Sequence, residues 1–291
     1  MFTTLIEAHE LAGYRANPQW ALIDCRFDLA RPQWGAQAYA AGHIPGALYA
    51  HLDAELAGPV TPQSGRHPLP QVESFATRLG SWGIDGQTQV ITYDQGNAMY
   101  AARLWWLLRW MGHAAVAVLN GGFAAWQAAG LPVSDRPAAR PARTFVAHPE
   151  PARLVSTQQL LELLHGGSLQ RGEQMLIDAR GADRFAGQNE TLDPVAGHIP
   201  GAHSAPFAGN LDAHGHFLPA AALRARWQQR LQALSPADVI SMCGSGVTAC
   251  HNLLALEHAG LPGGRLYAGS WSEWIRDPAR PVEPPRAAPA H

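Results

Sequence analysis

The residues best equipped for chemistry in this chain run from Cys243 to Ala249, Cys-Gly-Ser-Gly-Val-Thr-Ala, directly after the apolar run Val239-Ile240-Ser241-Met242. A thiol at the carboxyl end of a strand, followed by a glycine-rich turn into a helix, is placed for anion chemistry. Successive backbone N–H groups of such a turn form a concave nest, and the helix N-terminus adds partial positive charge. Both stabilise a thiolate, and with it a terminal persulfide anion. Glycines let the backbone close around the sulfur without Cβ clashes. Cys243 is therefore the candidate nucleophile, with Gly244, Gly246, Val247 and Thr248 as candidate binding positions around it. The other thiols lack this setting: Cys250 falls on the following helix and reads as core, and nothing singles out Cys25 between Asp24 and Arg26.

The elements that must position this loop are written twice. The first half carries Leu22-Ile23-Asp24-Cys25-Arg26, Gly42-His43-Ile44-Pro45-Gly46-Ala47, Gln89-Val90-Ile91-Thr92-Tyr93-Asp94 and Gly121-Gly122-Phe123-Ala124-Ala125-Trp126. The second half repeats the same order with Leu176-Ile177-Asp178-Ala179-Arg180, Gly197-His198-Ile199-Pro200-Gly201-Ala202, Asp238 to Cys243, and Gly269-Ser270-Trp271-Ser272-Glu273-Trp274. The period, about 150 residues, is that of a duplicated domain and not of a solenoid. Short β-branched runs alternate with helical patterns such as Leu104, Leu107, Leu108 and Met111, or Val247, Cys250 and Leu254. That alternation predicts an α/β fold, each half a small parallel sheet with helices on both faces. The expected boundaries are 1–133 and 153–291, joined by a proline-rich linker at 134–152. A frayed tail is expected from Pro278 onward.

Duplication also supplies a control. The Asp24/Arg26 and Asp178/Arg180 pairs occur in both copies and read as structural ion pairs, and His43 and His198 as turn residues satisfying backbone groups. Only the second copy has the cysteine; the first has Asp94 in its place.

The bulk numbers exclude other classes. With 47% hydrophobic and 15% charged residues in 291, the chain reads as globular. Its net charge of −2 offers nothing to nucleic acid or anionic lipid, and Trp105, Trp106 and Trp110 read as core or domain-interface bulk, not as a base-stacking platform. Three scattered cysteines make no disulfide framework, and the fourteen histidines fall into no zinc spacing; His214 and His216 read as a surface loop. The N-terminus has no signal-peptide pattern and no run is long enough to span a bilayer, so a cytoplasmic location is expected.

The loop Cys243 to Ala249, with its strand, its helix and the duplicated Gly-His-Ile-Pro-Gly blocks, resembles the tandem-domain rhodanese family. The loop itself is most similar to that of the 3-mercaptopyruvate sulfurtransferases; their thiosulfate-using relatives more typically carry cationic side chains where Gly244 and Ser245 stand. The resemblance implies a catalytically silent first domain and a Ser/His/Asp relay matching Ser245, His67 (in Gly65-Arg66-His67-Pro68-Leu69-Pro70) and Asp53. Two members of that relay would come from the silent domain, which puts the expected site in an interdomain cleft. The carboxylate-binding arginine of the family matches Arg184. A second arginine, expected shortly afterwards, is missing, and Asp193 stands near its place.

The expected chemistry is a two-step exchange. Cys243 takes sulfur from 3-mercaptopyruvate as a persulfide, and a thiol acceptor such as thioredoxin, or cyanide, removes it, with no metal or cofactor needed. Thiosulfate as donor is the alternative within the same chemistry, and a non-catalytic rhodanese binding module is a further one. The related cysteine phosphatases want an arginine where Ala249 stands.

Overall fold

The structure is a computed structural model and describes residues 1–14 and 17–283. The first sheet holds β1 (Leu5–Ile6), β2 (Trp20–Asp24), β3 (Leu48–Tyr49), β4 (Gln89–Tyr93) and β5 (Val116–Leu119), in the order β1-β5-β4-β2-β3. The second holds β6 (Met175–Asp178), β7 (Ala202–Ser204), β8 (Val239–Met242) and β9 (Arg265–Leu266), in the order β7-β6-β8-β9. Every strand pairing is parallel. With β2 matched to β6 and β4 to β8, the two orders are the same. Even β1 has a counterpart, a single parallel bridge from Leu154 to Leu266. The central strands β2, β4, β6 and β8 are buried at every residue, as a parallel sheet covered on both faces requires.

The repeated sequence blocks hold the same positions in each sheet. Asp24 ends β2 and takes a forked contact from Arg26, whose Nη2 also donates to the Gly42 carbonyl at 2.7 Å. Asp178 and Arg180 reproduce this at the end of β6, with Arg180 Nη2 donating to the Gly197 carbonyl at 2.8 Å. Both guanidiniums lie over an aromatic ring, Phe123 in one copy and Trp271 in the other. His43 and His198 each place Nδ1 against a backbone carbonyl, of Tyr39 and Phe185. These shared residues hold the sheet ends in shape.

Two compact units emerge, and they do not follow the chain strictly. One comprises Met1–Gly58, Leu69–Pro151 and Leu211–Pro219; the other comprises Pro59–Pro68, Ala152–Asn210 and the chain from Ala220 onward. The Leu211–Pro219 excursion closes through a Leu211–Phe217 bridge, and the Phe217 N–H donates to Asn120 Oδ1 at 2.9 Å. His214 and His216 turn their N–H groups to Asp212; His214 is exposed, as a surface loop would have it, but His216 is half-buried with its ring against Gly121.

The segment expected as a semi-rigid linker is instead strapped to the first unit. Ser134 bridges His43, Arg143 N–H donates to the Gly80 carbonyl, and His148 and Glu150 donate to the Met111 and Trp110 carbonyls. Phe145 is buried against that surface. Backbone donors with no regular ladder of their own are satisfied this way. The expected frayed tail is pinned as far as Glu283, which bridges His198, and its remainder lies outside the described residues.

Helix Ala101–Trp110 buries every residue but Arg109, so its leucine face is only part of a nearly all-round contact. Trp105, Trp106 and Trp110 are core residues, as read.

Candidate active site

Cys243 is the residue after β8, and it is 2% exposed. Its N–H donates to Ser270 Oγ at 3.0 Å, and its carbonyl accepts from Trp271 N–H at 3.0 Å. Ser272 N–H donates to the Gly244 carbonyl at 2.8 Å. Gly246 has φ +76°, and a Cβ there would stand 2.3 Å from the Ala268 carbonyl oxygen, so only glycine fits. The chain then enters the helix Thr248–His258. The Cys243 loop is thus held from behind by the 268–272 segment, with a helix N-terminus ahead.

Ser270 is the holding residue that its sequence block conceals. It adopts φ +53°, uncommon for a residue with a Cβ, and its hydroxyl donates to the Tyr267 carbonyl while accepting from Cys243. The matching residue in the other copy is Gly122, at φ +56°.

The other copy carries a carboxyl group at the matching place. Asp94 follows β4 as Cys243 follows β8, and its buried carboxylate accepts N–H groups from Gly96, Ala98, Tyr100 and Ala101 at 3.1, 3.0, 2.9 and 3.2 Å. The first loop closes on its own anion, whereas the second carries a thiol in the corresponding place.

His67 Nδ1 lies 2.7 Å from Ser245 Oγ, and both residues are buried. His67 sits in Pro59–Pro68, which groups with the second unit although it lies in the first half of the chain. Arg66 N–H donates to Ser272 Oγ at 3.0 Å, and Arg276 Nε donates to the Ser64 carbonyl at 3.1 Å. These bonds dock the segment beside the Cys243 loop. Asp53 lies in the first unit, on the short helix Leu52–Glu55, with its N–H donated to His51 Nδ1.

Arg184 belongs to the short helix Ala182–Phe185. Its Nε and Nη2 contact Glu190 at 3.1 and 2.8 Å, and Nη2 reaches Asp193 at 3.2 Å. Burial pushes the Glu190 carboxyl up, but Arg184 and the Leu192 and Asp193 N–H groups together hold it below the usual range. Asp193 also accepts from Arg66 Nη1. The acid that stands near the place of the family's second arginine therefore joins Arg184 to Arg66. A Cβ on Gly244 would lie 3.0 Å from Arg66 Nη2 and 3.7 and 3.8 Å from Arg184 Nη2 and Nη1. Arg66 and Glu190 escape the sequence reading because no repeated block contains them, and Ser270 because its block aligns it with a glycine and nothing in the pattern marks its hydroxyl.

The other two thiols sit in different surroundings. Burial pushes the Cys25 thiol well up, and Asp24, Asp94 and Glu55 add to the effect. Cys250 is buried, with its Sγ 3.2 Å from the Gly246 carbonyl.

The rhodanese-like domain family matches this chain twice, at residues 7–129 and 156–277. The chain belongs to the rhodanese family. Among relatives of this rhodanese, a probable 3-mercaptopyruvate sulfurtransferase of Pseudomonas aeruginosa is 45% identical, over 96% of this chain and 97% of its own length. A thiosulfate sulfurtransferase of Cricetulus griseus is 36% identical over 92% of this chain and 89% of its own. In three dimensions, the crystal structure of SseA from Escherichia coli, described as a 3-mercaptopyruvate sulfotransferase, superposes with a TM-score of 0.79. It is 34% identical, over 93% of this rhodanese and 100% of that chain. Among the described residues no helix is long and apolar enough to cross a membrane.

Proposed function

We propose that this rhodanese is a 3-mercaptopyruvate sulfurtransferase that carries sulfur on Cys243. The observation that carries the reading is the Cys243 loop with a Ser245–His67 pair on one side and the Arg184 guanidinium close over Gly244. The substrate carboxylate pairs with Arg184, and the Cys243 thiolate attacks the substrate sulfur. The carbon–sulfur bond breaks, and its electron pair goes to pyruvate enolate, which is protonated to pyruvate. The sulfur stays as a Cys243 persulfide, in the nest formed by Gly244, Gly246, Val247 and Thr248. Ser245 and His67 move the proton of the substrate thiol, and Asp53 is assigned as the third member of that relay.

An acceptor thiolate, or cyanide, then attacks the outer sulfur and restores the Cys243 thiolate. Reduced thioredoxin suits the acceptor's role, and the cytoplasm is the compartment that keeps such thiols reduced. The functional division follows the repeat: residues 1–133 silent, 134–152 joining, 153–291 carrying the nucleophile.

A second reading, thiosulfate as donor, draws on the guanidinium of Arg66 beside the loop, since paired cations suit a compact dianion. Steady-state kcat/KM for the two donors, measured side by side with cyanide as acceptor, tests the choice. A higher value for 3-mercaptopyruvate is expected; a higher value for thiosulfate overturns the donor assignment and leaves the persulfide chemistry standing.

A further inference from the structure

We propose that Arg66 is the second carboxylate-binding cation of the donor site, supplied from outside the catalytic repeat and set in place by Asp193. The inference rests on the mercaptopyruvate reading and deepens it. After Arg184, the sequence offers an acid where a second arginine would bind the substrate carboxylate. In the folded unit that acid is 3% exposed at its side chain and accepts from both Arg66 and Arg184. A buried carboxylate between two guanidiniums fixes their separation and stops them repelling each other.

The free donor edges then matter. Among the described residues, the Arg66 side chain spends Nη1 on Asp193, and Arg184 spends Nε and Nη2 on Glu190 and Asp193. Arg66 Nη2 and Arg184 Nη1 are left, 3.0 and 3.8 Å from the point where a Gly244 Cβ would stand. Their side chains are 28% and 20% exposed, so a ligand can reach them. A lone arginine can fork onto both oxygens of a carboxylate, but with Nε and Nη2 engaged Arg184 has only Nη1 to offer, and the second oxygen needs the Arg66 guanidinium beside the residue next to Cys243. Gly244 is required here for the same reason, because a side chain would fill the space the carboxylate needs.

Two acids balance the two arginines, so the site's excess charge stays near zero until substrate arrives. This favours a monoanion that reads fixed donor directions over a dianion that needs net positive charge.

The test is made on the full-length protein with Arg66→Met and Arg66→Lys. The probe is pyruvate, scored as an inhibitor of mercaptopyruvate turnover, with uncharged methyl pyruvate as control. Arg66→Met should weaken pyruvate inhibition and raise KM for 3-mercaptopyruvate, each about 10-fold or more, with methyl pyruvate unaffected and kcat changed far less. Arg66→Lys keeps the charge opposite Asp193 but loses the fork, and should weaken pyruvate by several-fold; it serves if Arg66→Met fails to fold. Pyruvate inhibition within about twofold of wild type in the folded variant overturns the assignment of Arg66 alone. A wild-type enzyme that neither uses mercaptopyruvate nor prefers pyruvate to methyl pyruvate overturns the donor reading, and this inference with it.

Discussion

At the scale of single residues, three thiols of one chain differ by environment alone. Burial pushes the Cys25 thiol up, with nearby carboxylates adding to it, and Cys250, on the helix, turns to the Gly246 carbonyl of the preceding loop. Cys243 follows β8 into the glycine turn that matches the loop around Asp94, and leads to a helix N-terminus. Cys243→Ser should therefore abolish sulfur transfer, whereas Cys25→Ser and Cys250→Ala should keep most of it. Intact-mass and peptide mass spectrometry after donor exposure should find the added sulfur on Cys243; sulfur on Cys25 or Cys250 would contradict the assignment. Glu190 gives a pH-dependent test. Its carboxyl is held below the usual range, so its contribution is present above the unfolded value, about 4.3, and is lost as pH falls through the lower folded value. Glu190→Gln should cost about 1–3 kcal/mol at neutral pH, and its melting temperature should converge on the wild type's as the medium is acidified below pH 4. A constant difference across the acid range would show that Glu190 acts by packing and not by charge.

At the scale of elements, the informative comparison is between two loops of one design. Both follow a buried parallel strand and lead into a helix, and Gly122 and Ser270 hold matching left-handed positions behind them. In the first loop, a carboxylate satisfies four backbone donors, at the place where the second loop carries the thiol. Asp94→Ala would leave those N–H groups buried without an acceptor. It should lower stability by about 2–4 kcal/mol in denaturant unfolding, with kcat of the folded protein close to wild type. A marked fall in kcat at unchanged stability would instead assign Asp94 a part in turnover. The helix Ala101–Trp110 after this loop shows why periodicity alone misjudges burial. Leu104, Leu107 and Leu108 mark one face, yet Ala101, Ala102 and the three tryptophans bury the others.

At the scale of the whole molecule, the compact units interleave along the chain, and the segment Pro59–Pro68 carries Arg66 and His67 into the second unit. A fragment of residues 153–291 lacks both. Even when circular dichroism shows it folded, its kcat/KM with 3-mercaptopyruvate should fall by about 100-fold or more, the scale of a lost proton-transfer group. Full activity in the folded fragment would show that Pro59–Pro68 is structural only. The duplicated blocks, the parallel α/β character and the place of Cys243 were legible in the sequence, because strand ends, glycine turns and repeats are local patterns along the chain. Ser245 and His67 could be matched to a relay only through family resemblance, since 178 residues separate the two side chains that meet at 2.7 Å. Arg66 left no mark, because an arginine in a loop looks the same whether it faces water or a buried Asp193. Asp193 looked like a missing arginine for the same reason: charge type is written in the sequence, but the partner is chosen by tertiary contact. The sequence by itself determined the two-fold design and singled out the cysteine proposed to carry sulfur. Only the folded chain decided which distant cations and hydroxyls surround that sulfur, because electrostatic and hydrogen-bond partners depend on distance in space and not on separation along the chain.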